Sequence, residues 1–237
     1  MKRILSKLRR ADTDFGMIGS GDRICVGVSG GKDSMLLMKA LAAYRRFCPS
    51  PFELEAVCID MGLGADTSPL AAFAEELGVN LTIKKTEIAR IIFEERKEKN
   101  PCSLCSNLKR GALNIAARDL GCNKVALAHH ADDLMETFML GLLYEGRVHT
   151  FRPVTHLDRM DLTVIRPFIY VYEREIVYSV NKNGIPVIKS NCPADGFTRR
   201  QDMKELIKKL RTDIPESDKR LFGAVMKYLS ESGAAEE

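Results

Sequence analysis

No apolar run among the 237 residues approaches the length of a membrane span. The basic start Met1–Lys7 is not followed by a long apolar segment, so no secretory signal and no membrane partner are expected, and the location read from the sequence is cytoplasmic. The seven cysteines are an odd number, which excludes a simple disulfide framework and leaves core residues or metal ligands. Net charge is also scarce. At +4 it does not argue for a nucleic-acid partner, and only local clusters can. A Walker A loop is missing as well. The glycine–lysine turn near the N-terminus has Val26 where that motif needs glycine, and Asp33 where it needs Ser or Thr.

What is present begins with that turn. Ile24-Cys25-Val26-Gly27-Val28 is a short β-rich apolar run, Ser29-Gly30-Gly31-Lys32-Asp33-Ser34 breaks it, and Met35 to Phe47 reads as a helix. A strand, a glycine turn and a helix N-terminus form an anion site. Backbone N–H groups approach an oxyanion closely, and unpaired donors at the helix start add to the positive dipole end. Lys32 supplies a formal charge, and Ser29 and Ser34 supply hydroxyls.

Hydrophobic content of 45% with 29% charged residues is that of an ordinary soluble globular chain, long enough for one α/β domain with appendages. Further strands are read at Leu54–Asp60, Val79–Ile83, Lys124–Ala128 and Leu162–Ile165. Helices are read over 3–16, 68–77, 88–97, 100–120 (with Asn100 as N-cap and Pro101 at the first position), 131–144, 172–181, 199–210 and 217–230. Strands alternating with helices of this length predict an α/β fold: a parallel five-stranded sheet flanked by helices. Ligands then gather beyond the carboxyl ends of the strands, where Ser29–Ser34, Asp60–Gly64 and His129–Asp133 would line one crevice. The expected division is a basic N-terminal helix over 1–20, a central domain over 21–190 and a C-terminal segment over 191–237.

Two more clusters carry chemistry. His129-His130-Ala131-Asp132-Asp133, with Glu136 one turn on, places carboxylates at a strand end, where they either cap a helix or hold Mg²⁺ against phosphates. Cys102-Ser103-Leu104-Cys105 puts two thiols on one face of a helix's first turn, where the helix terminus lowers thiol pKa, and Lys109 lies one turn further. The remaining candidate thiol in a polar loop is Cys192. Three thiolates with an open position suit a reactive cluster, while a histidine added to them would complete a zinc site. Cys25, Cys48, Cys58 and Cys122 read as structural.

Taken in order, several stretches resemble the PP-loop ATP pyrophosphatase superfamily (adenine nucleotide alpha hydrolase-like). They are Asp14–Ile18, Gly21–Arg23, Ser29–Ser34, Cys102–Gly111, Ala128–Asp133 with Glu136 and Thr137, Ile165–Pro167, Cys192 and Arg199–Gln201. Within that superfamily they resemble the tRNA 2-thiocytidine synthetase family. The resemblance implies an ATP-dependent tRNA sulfurtransferase that replaces the C2 oxygen of a cytidine, at tRNA position 32, with sulfur. It implies ATP and Mg²⁺, and a [4Fe–4S] cluster on Cys102, Cys105 and Cys192. By the same resemblance Ser29, Gly30, Gly31, Lys32, Asp33, Ser34, Asp60 and His129 bind the nucleotide, and Lys109, Asp132, Asp133 and Cys192 serve the chemistry. Implied partners are tRNA, a sulfur donor such as a cysteine desulfurase, and a second copy of the chain. Residues 199–211 carry six basic side chains against Asp202 and Glu205, a face for RNA or for solvent. Other readings are an adenylating enzyme acting on another tRNA base or joining an amine, as lysidine-type ligases do, and an RNA-binding protein with structural zinc.

Overall fold

The β-rich runs pair into one sheet, ordered β3-β2-β1-β4-β6-β5, in a computed structural model that describes residues 1–96, 101–188, 191–192 and 199–233. The strands are β1 (Arg23–Gly27), β2 (Glu53–Asp60), β3 (Asn80–Lys85), β4 (Lys124–Ala126), β5 (Val154–Leu157) and β6 (Leu162–Ile165). The pairs β1–β2, β1–β4, β2–β3 and β4–β6 are parallel. The sheet therefore has six strands and not the five expected. The additional one, β5, runs antiparallel to β6, with His156 opposite Thr163. It arises because Asp158–Asp161 folds as a tight turn, with Asp161 at φ 48°, and lays Val154–Leu157 along what would otherwise be an open edge.

Helices α1 (Lys2–Phe15), α2 (Lys32–Tyr44), α3 (Ser68–Glu76), α4 (Ile88–Arg90), α5 (Pro101–Asp119), α6 (Ala131–Leu140), α7 (Glu173–Lys182), α8 (Arg199–Asp213) and α9 (Ser217–Gly233) surround the sheet. Asn100, the expected cap of α5, lies outside the described residues. Helix α2 starts three residues earlier than its apolar run because Gly31 takes the extended N-cap conformation and Lys32 and Asp33 fill the first turn. The helices expected over 88–97 and 131–144 are not uniform: each passes into a π-helical turn, at Ile91–Glu95 and Gly141–Glu145. At the second, a Cβ on Gly141 would lie 3.0 Å from the Arg147 carbonyl oxygen and 2.6 Å from the His149 ring, so a larger residue would crowd the returning chain.

The core is continuous from Ile4, Leu8 and Ala11 of α1 through Ile24 and Val26 of β1 to Met35–Met38 of α2 and Phe168, Ile169 and Ile176. A smaller cluster on the other face joins Cys25, Cys122 and Val125 to Leu113 and Ala117 of α5. Three of the cysteines read as structural, Cys25, Cys58 and Cys122, are buried, while Cys48 is half-buried against the main core. The basic face of α1 is partly spent internally: Arg3 and Lys7 pair with Glu175, and Arg10 sits over the Tyr170 ring. Tyr170 also stacks on Phe15, with ring centroids 5.9 Å apart, and meets Phe222 of α9 edge-on at 6.1 Å. No helix among the described residues is long and apolar enough to cross a membrane.

Candidate active site

The loop between β1 and α2 is built around Gly30. Its φ of +82° is open to glycine at little cost, and a Cβ there would lie 2.9 Å from the Ile188 Cβ. The Gly30 carbonyl accepts a hydrogen bond from the Ile188 N–H at 2.9 Å, which pins the segment 186–188 beside the loop. Within the loop, the Ser29 N–H donates to Ser34 Oγ at 3.1 Å, and Ser34 Oγ donates to the Gly31 carbonyl at 3.0 Å. The two hydroxyls read as anion ligands thus also fix the turn.

Lys32 Nζ lies 3.0 Å from Asp33 and 3.0 Å from Glu173 at the start of α7. Burial opposes its charge, but the two carboxylates outweigh burial and hold its pKa above the usual lysine value. Asp33 Oδ1 is buried without a hydrogen-bond partner. An unsatisfied buried acceptor and a helix N-terminus bearing a lysine together make a seat for a ligand that carries both phosphate oxygens and a cation.

Across the crevice, β4 delivers His129–Asp133. His130 caps α6 and is ringed by Asp33 at 3.8 Å, Asp132 at 3.6 Å and Asp133 at 3.4 Å. Burial disfavours its charged form, but the carboxylates win and raise its pKa. Asp132 and Asp133, equivalent in the sequence, separate here. Asp132 accepts the Glu173 N–H at 2.7 Å and so caps α7, which together with His130 lowers its pKa against the cost of burial. Asp133 accepts the His130 N–H on Oδ2 at 3.0 Å, closing the capping box of α6, and its Oδ1 meets Arg200 Nη1 at 3.3 Å. His129 packs on Phe151 and accepts from Arg166 Nε at 3.2 Å, and burial drives its pKa down to about 4, so it is neutral. Asp60 accepts the Gly62 N–H at 2.9 Å, holding the loop after β2 in a tight turn.

Glu136 is 5% exposed, and burial with the nearby Asp133 raises its pKa to about 7. Its folded-state pKa exceeds the unfolded value, so its contribution to stability is complete at low pH and is lost as pH rises from about 4.5 to about 7. Glu136→Gln is therefore expected to match the wild type near pH 4.5 and to be more stable at pH 8, by roughly 2 kcal/mol. Thermal melts of nucleotide-free protein across that range check it, and a lower melting temperature for the variant at pH 8 would contradict it.

The thiols approach the crevice from the β2 side. Cys105 Sγ lies 3.6 Å from the Met61 sulfur, and Asn191 Nδ2 donates to the Leu63 carbonyl at 3.3 Å, bringing Cys192 to the same loop. The sequence led to an expectation of a lowered pKa at this helix start. For Cys105 the opposite holds: burial raises it, Cys192 and Cys102 raise it further, and Lys109 beside it acts in the opposite sense. Cys102 is exposed and Cys192 half-buried. The three thiols are within electrostatic reach of one another, although as placed no three His, Cys, Asp or Glu side chains among the described residues converge to hold a metal ion. A cavity of about 400 Å³ opens alongside, lined by Met61, Leu63, Thr86 and Phe93 among others. Ser190 and Pro193–Gly196, the rest of the loop that carries Cys192, lie outside the described residues.

One side chain of this site has no signal in the sequence: Glu173 sits eight residues past β6 with no motif around it. Arg200, part of the Arg199–Gln201 stretch and of the basic face over 199–211, reaches Asp133, Glu136 and Thr137, the last at 3.2 Å.

The PP-loop domain family matches residues 4–210. The tRNA-cytidine(32) 2-sulfurtransferase of Geobacter sulfurreducens is 40% identical over 228 residues, covering 94% of this chain and 89% of that protein. The enzyme of the same name from Pelobacter propionicus is 42% identical over 218 residues, covering 90% and 81%. Among solved structures, the U34-tRNA thiolase NcsA from Methanococcus maripaludis, determined with its [4Fe–4S] cluster, superposes with a TM-score of 0.80 at 23% identity, covering 97% of this chain and 78% of that one, a likeness of fold. With a glycine loop, a carboxylate cluster and a late cysteine all on one sheet edge, and with this similarity running over nearly its whole length, the chain belongs to the PP-loop family and, within it, to the tRNA-cytidine(32) 2-sulfurtransferases.

Proposed function

We propose that the chain thiolates tRNA at the expense of ATP, exchanging the C2 oxygen of a cytidine at position 32 for sulfur. The observation that carries this reading is the 40% identity, over 94% of the chain, to a tRNA-cytidine(32) 2-sulfurtransferase. The site supports it. The C2 oxygen of cytosine is a poor leaving group, and transfer of AMP to it with loss of pyrophosphate makes it a good one. Ser29–Ser34 and Lys32 are arranged to hold the departing pyrophosphate at a helix N-terminus, where charge develops in the transition state. Asp132 Oδ2 and Asp133 Oδ2 are engaged by the Glu173 and His130 N–H groups, and Asp133 Oδ1, which meets Arg200, is the oxygen that would take Mg²⁺. His129, kept neutral by burial, and Asp60 border the space in which the nucleoside end would lie.

The donor set of Cys102, Cys105 and Cys192 fits a [4Fe–4S] cluster. Three thiols stand close enough to perturb one another, with Lys109 beside Cys105 to favour its thiolate. Held by three cysteines, such a cluster has one iron open to a sulfur ligand. The protein's own part is to present that face to the nucleotide crevice and to receive a base splayed from a single-stranded loop. A cysteine desulfurase as sulfur source and a cytoplasmic location belong to the same reading.

The direct test is mass spectrometry of tRNA nucleosides from a strain lacking the gene. The expected result is loss of 2-thiocytidine, restored by the gene on a plasmid. Undiminished 2-thiocytidine would overturn the proposal.

A further inference from the structure

The ion pairs at the mouth of the crevice link helices α2, α6, α7 and α8, and none of the four accounts for them alone. Glu173 Oε1 lies 3.0 Å from Lys32 Nζ and 2.8 Å from Lys204 Nζ, and its Oε2 lies 2.7 Å from Lys204. One carboxylate oxygen thus bridges two ammonium groups, the coordination that a phosphate oxygen would take between the same lysines. On the neighbouring turn of α8, the Arg200 guanidinium spans Asp133 Oδ1 at 3.3 Å, Glu136 at 3.5 Å and Thr137 at 3.2 Å, so it covers the Asp133 oxygen that the α6 capping box leaves to a divalent cation. Asp33 Oδ1, buried and without a hydrogen-bond partner, belongs to the same cluster. Glu173 thus meets Lys32 as a phosphate oxygen would, and Arg200 meets Asp133 as a cation would.

We propose that Lys204 and Arg200 of α8 are further polyphosphate-binding residues, parked on Glu173 and on the Asp133–Glu136 pair until Mg·ATP displaces them. The inference rests on the reading that Ser29–Ser34 takes the triphosphate. Phosphate oxygens at Lys32 compete with Glu173, and Mg²⁺ at Asp133 competes with Arg200. Both exchanges release α8 cations next to the incoming charge. An arginine fork and a lysine point charge match the two kinds of phosphate contact.

Calorimetric titration of the full chain with Mg·ATP, and separately with magnesium pyrophosphate, tests this. Lys204→Ala and Arg200→Ala are each expected to weaken binding about tenfold. Lys204→Arg is expected to retain most of the affinity, and Lys208→Ala, an exposed position on the same helix, to retain all of it. Glu173→Gln, which removes the internal anion, is expected to tighten binding several-fold and to enlarge the rise in melting temperature that magnesium pyrophosphate produces; a weaker complex would count against the parking role. Wild-type affinity in both Lys204→Ala and Arg200→Ala overturns the proposal. If Lys32→Ala loses binding while the α8 variants keep it, only this inference fails. If the wild type binds neither probe, the nucleotide reading fails and this inference fails with it.

Discussion

Replacing Lys32 with alanine is expected to slow pyrophosphate release from ATP by about 10² to 10³, the cost of removing one preorganised electrostatic contact to a developing charge. Three features of the site set this size. Lys32 is the first residue of α2, so its charge adds to the unpaired N–H groups of a helix start. It is half-buried, and Asp33 and Glu173 keep it protonated against that burial. No other ammonium group lies inside the loop itself. The alanine variant also leaves Asp33 and Glu173 facing each other without their shared cation, so nucleotide binding should weaken along with turnover. Lys32→Arg separates the two effects: it keeps the charge, restores the pairing and should recover part of the binding. Radiolabelled pyrophosphate release in single-turnover conditions is the measurement, and a rate for Lys32→Ala equal to the wild type would remove the residue from the phosphate site.

The second large effect belongs to the thiols. Protein purified without oxygen is expected to carry iron and acid-labile sulfide in equal amounts, and Cys102→Ala and Cys192→Ser are each expected to lose both together with thiolation, while still binding Mg·ATP. The reason is the donor set. With two cysteines remaining, a cluster has lost a third of its protein ligands and gained a second open iron. Nucleotide binding should survive because Ser29–Ser34 and the carboxylates hang on other elements, β1, α2 and α6, which do not depend on the thiols for their packing. Metal analysis decides between the readings of these cysteines. Zinc without iron in the wild type would end the cluster assignment, and a Cys192→Ser protein that keeps iron and activity would take that residue out of the site.

The parallel order of the sheet and the position of the loop at its carboxyl edge were legible in the sequence because both follow from strong local signals. These are short β-rich runs, glycine stops and helices of the length a crossover requires. Strand β5 was not legible: Val154–Leu157 pairs only because a four-residue turn folds it back on β6, and four residues carry too little periodicity to announce a strand. The π-helical turn at Gly141–Glu145 was missed for a related reason. It depends on a clearance between Gly141 and His149, a tertiary fact that no run of residues displays. In the site, the residue types were visible and the division of labour was not. Asp132 and Asp133 look alike in the chain, and only their backbone partners show that Asp133 closes the capping box of its own helix while Asp132 reaches across to the start of α7. The thiol pKa at Cys105 went against expectation because burial beside Met61 overrides the helix terminus. Glu173 was hidden altogether, and Arg200 was visible in its stretch but not its partners, since each acts through residues dozens of positions away.

The ring contacts of Tyr170 have a consequence for synthesis on the ribosome. Helix α1 leaves the exit tunnel shortly before α2, against which it packs on one side. Its other partners are Glu175 and the Tyr170 ring, the latter braced by Phe222 from α9. At translation speeds of about 5–20 residues per second, these arrive on the order of 10 s or more later. During that interval Ile4, Leu8 and Ala11 have half a seat and an amphipathic face turned outward. The nascent α1 is thus a segment on which a holding chaperone would gain, and its final locking waits for Phe222 of α9.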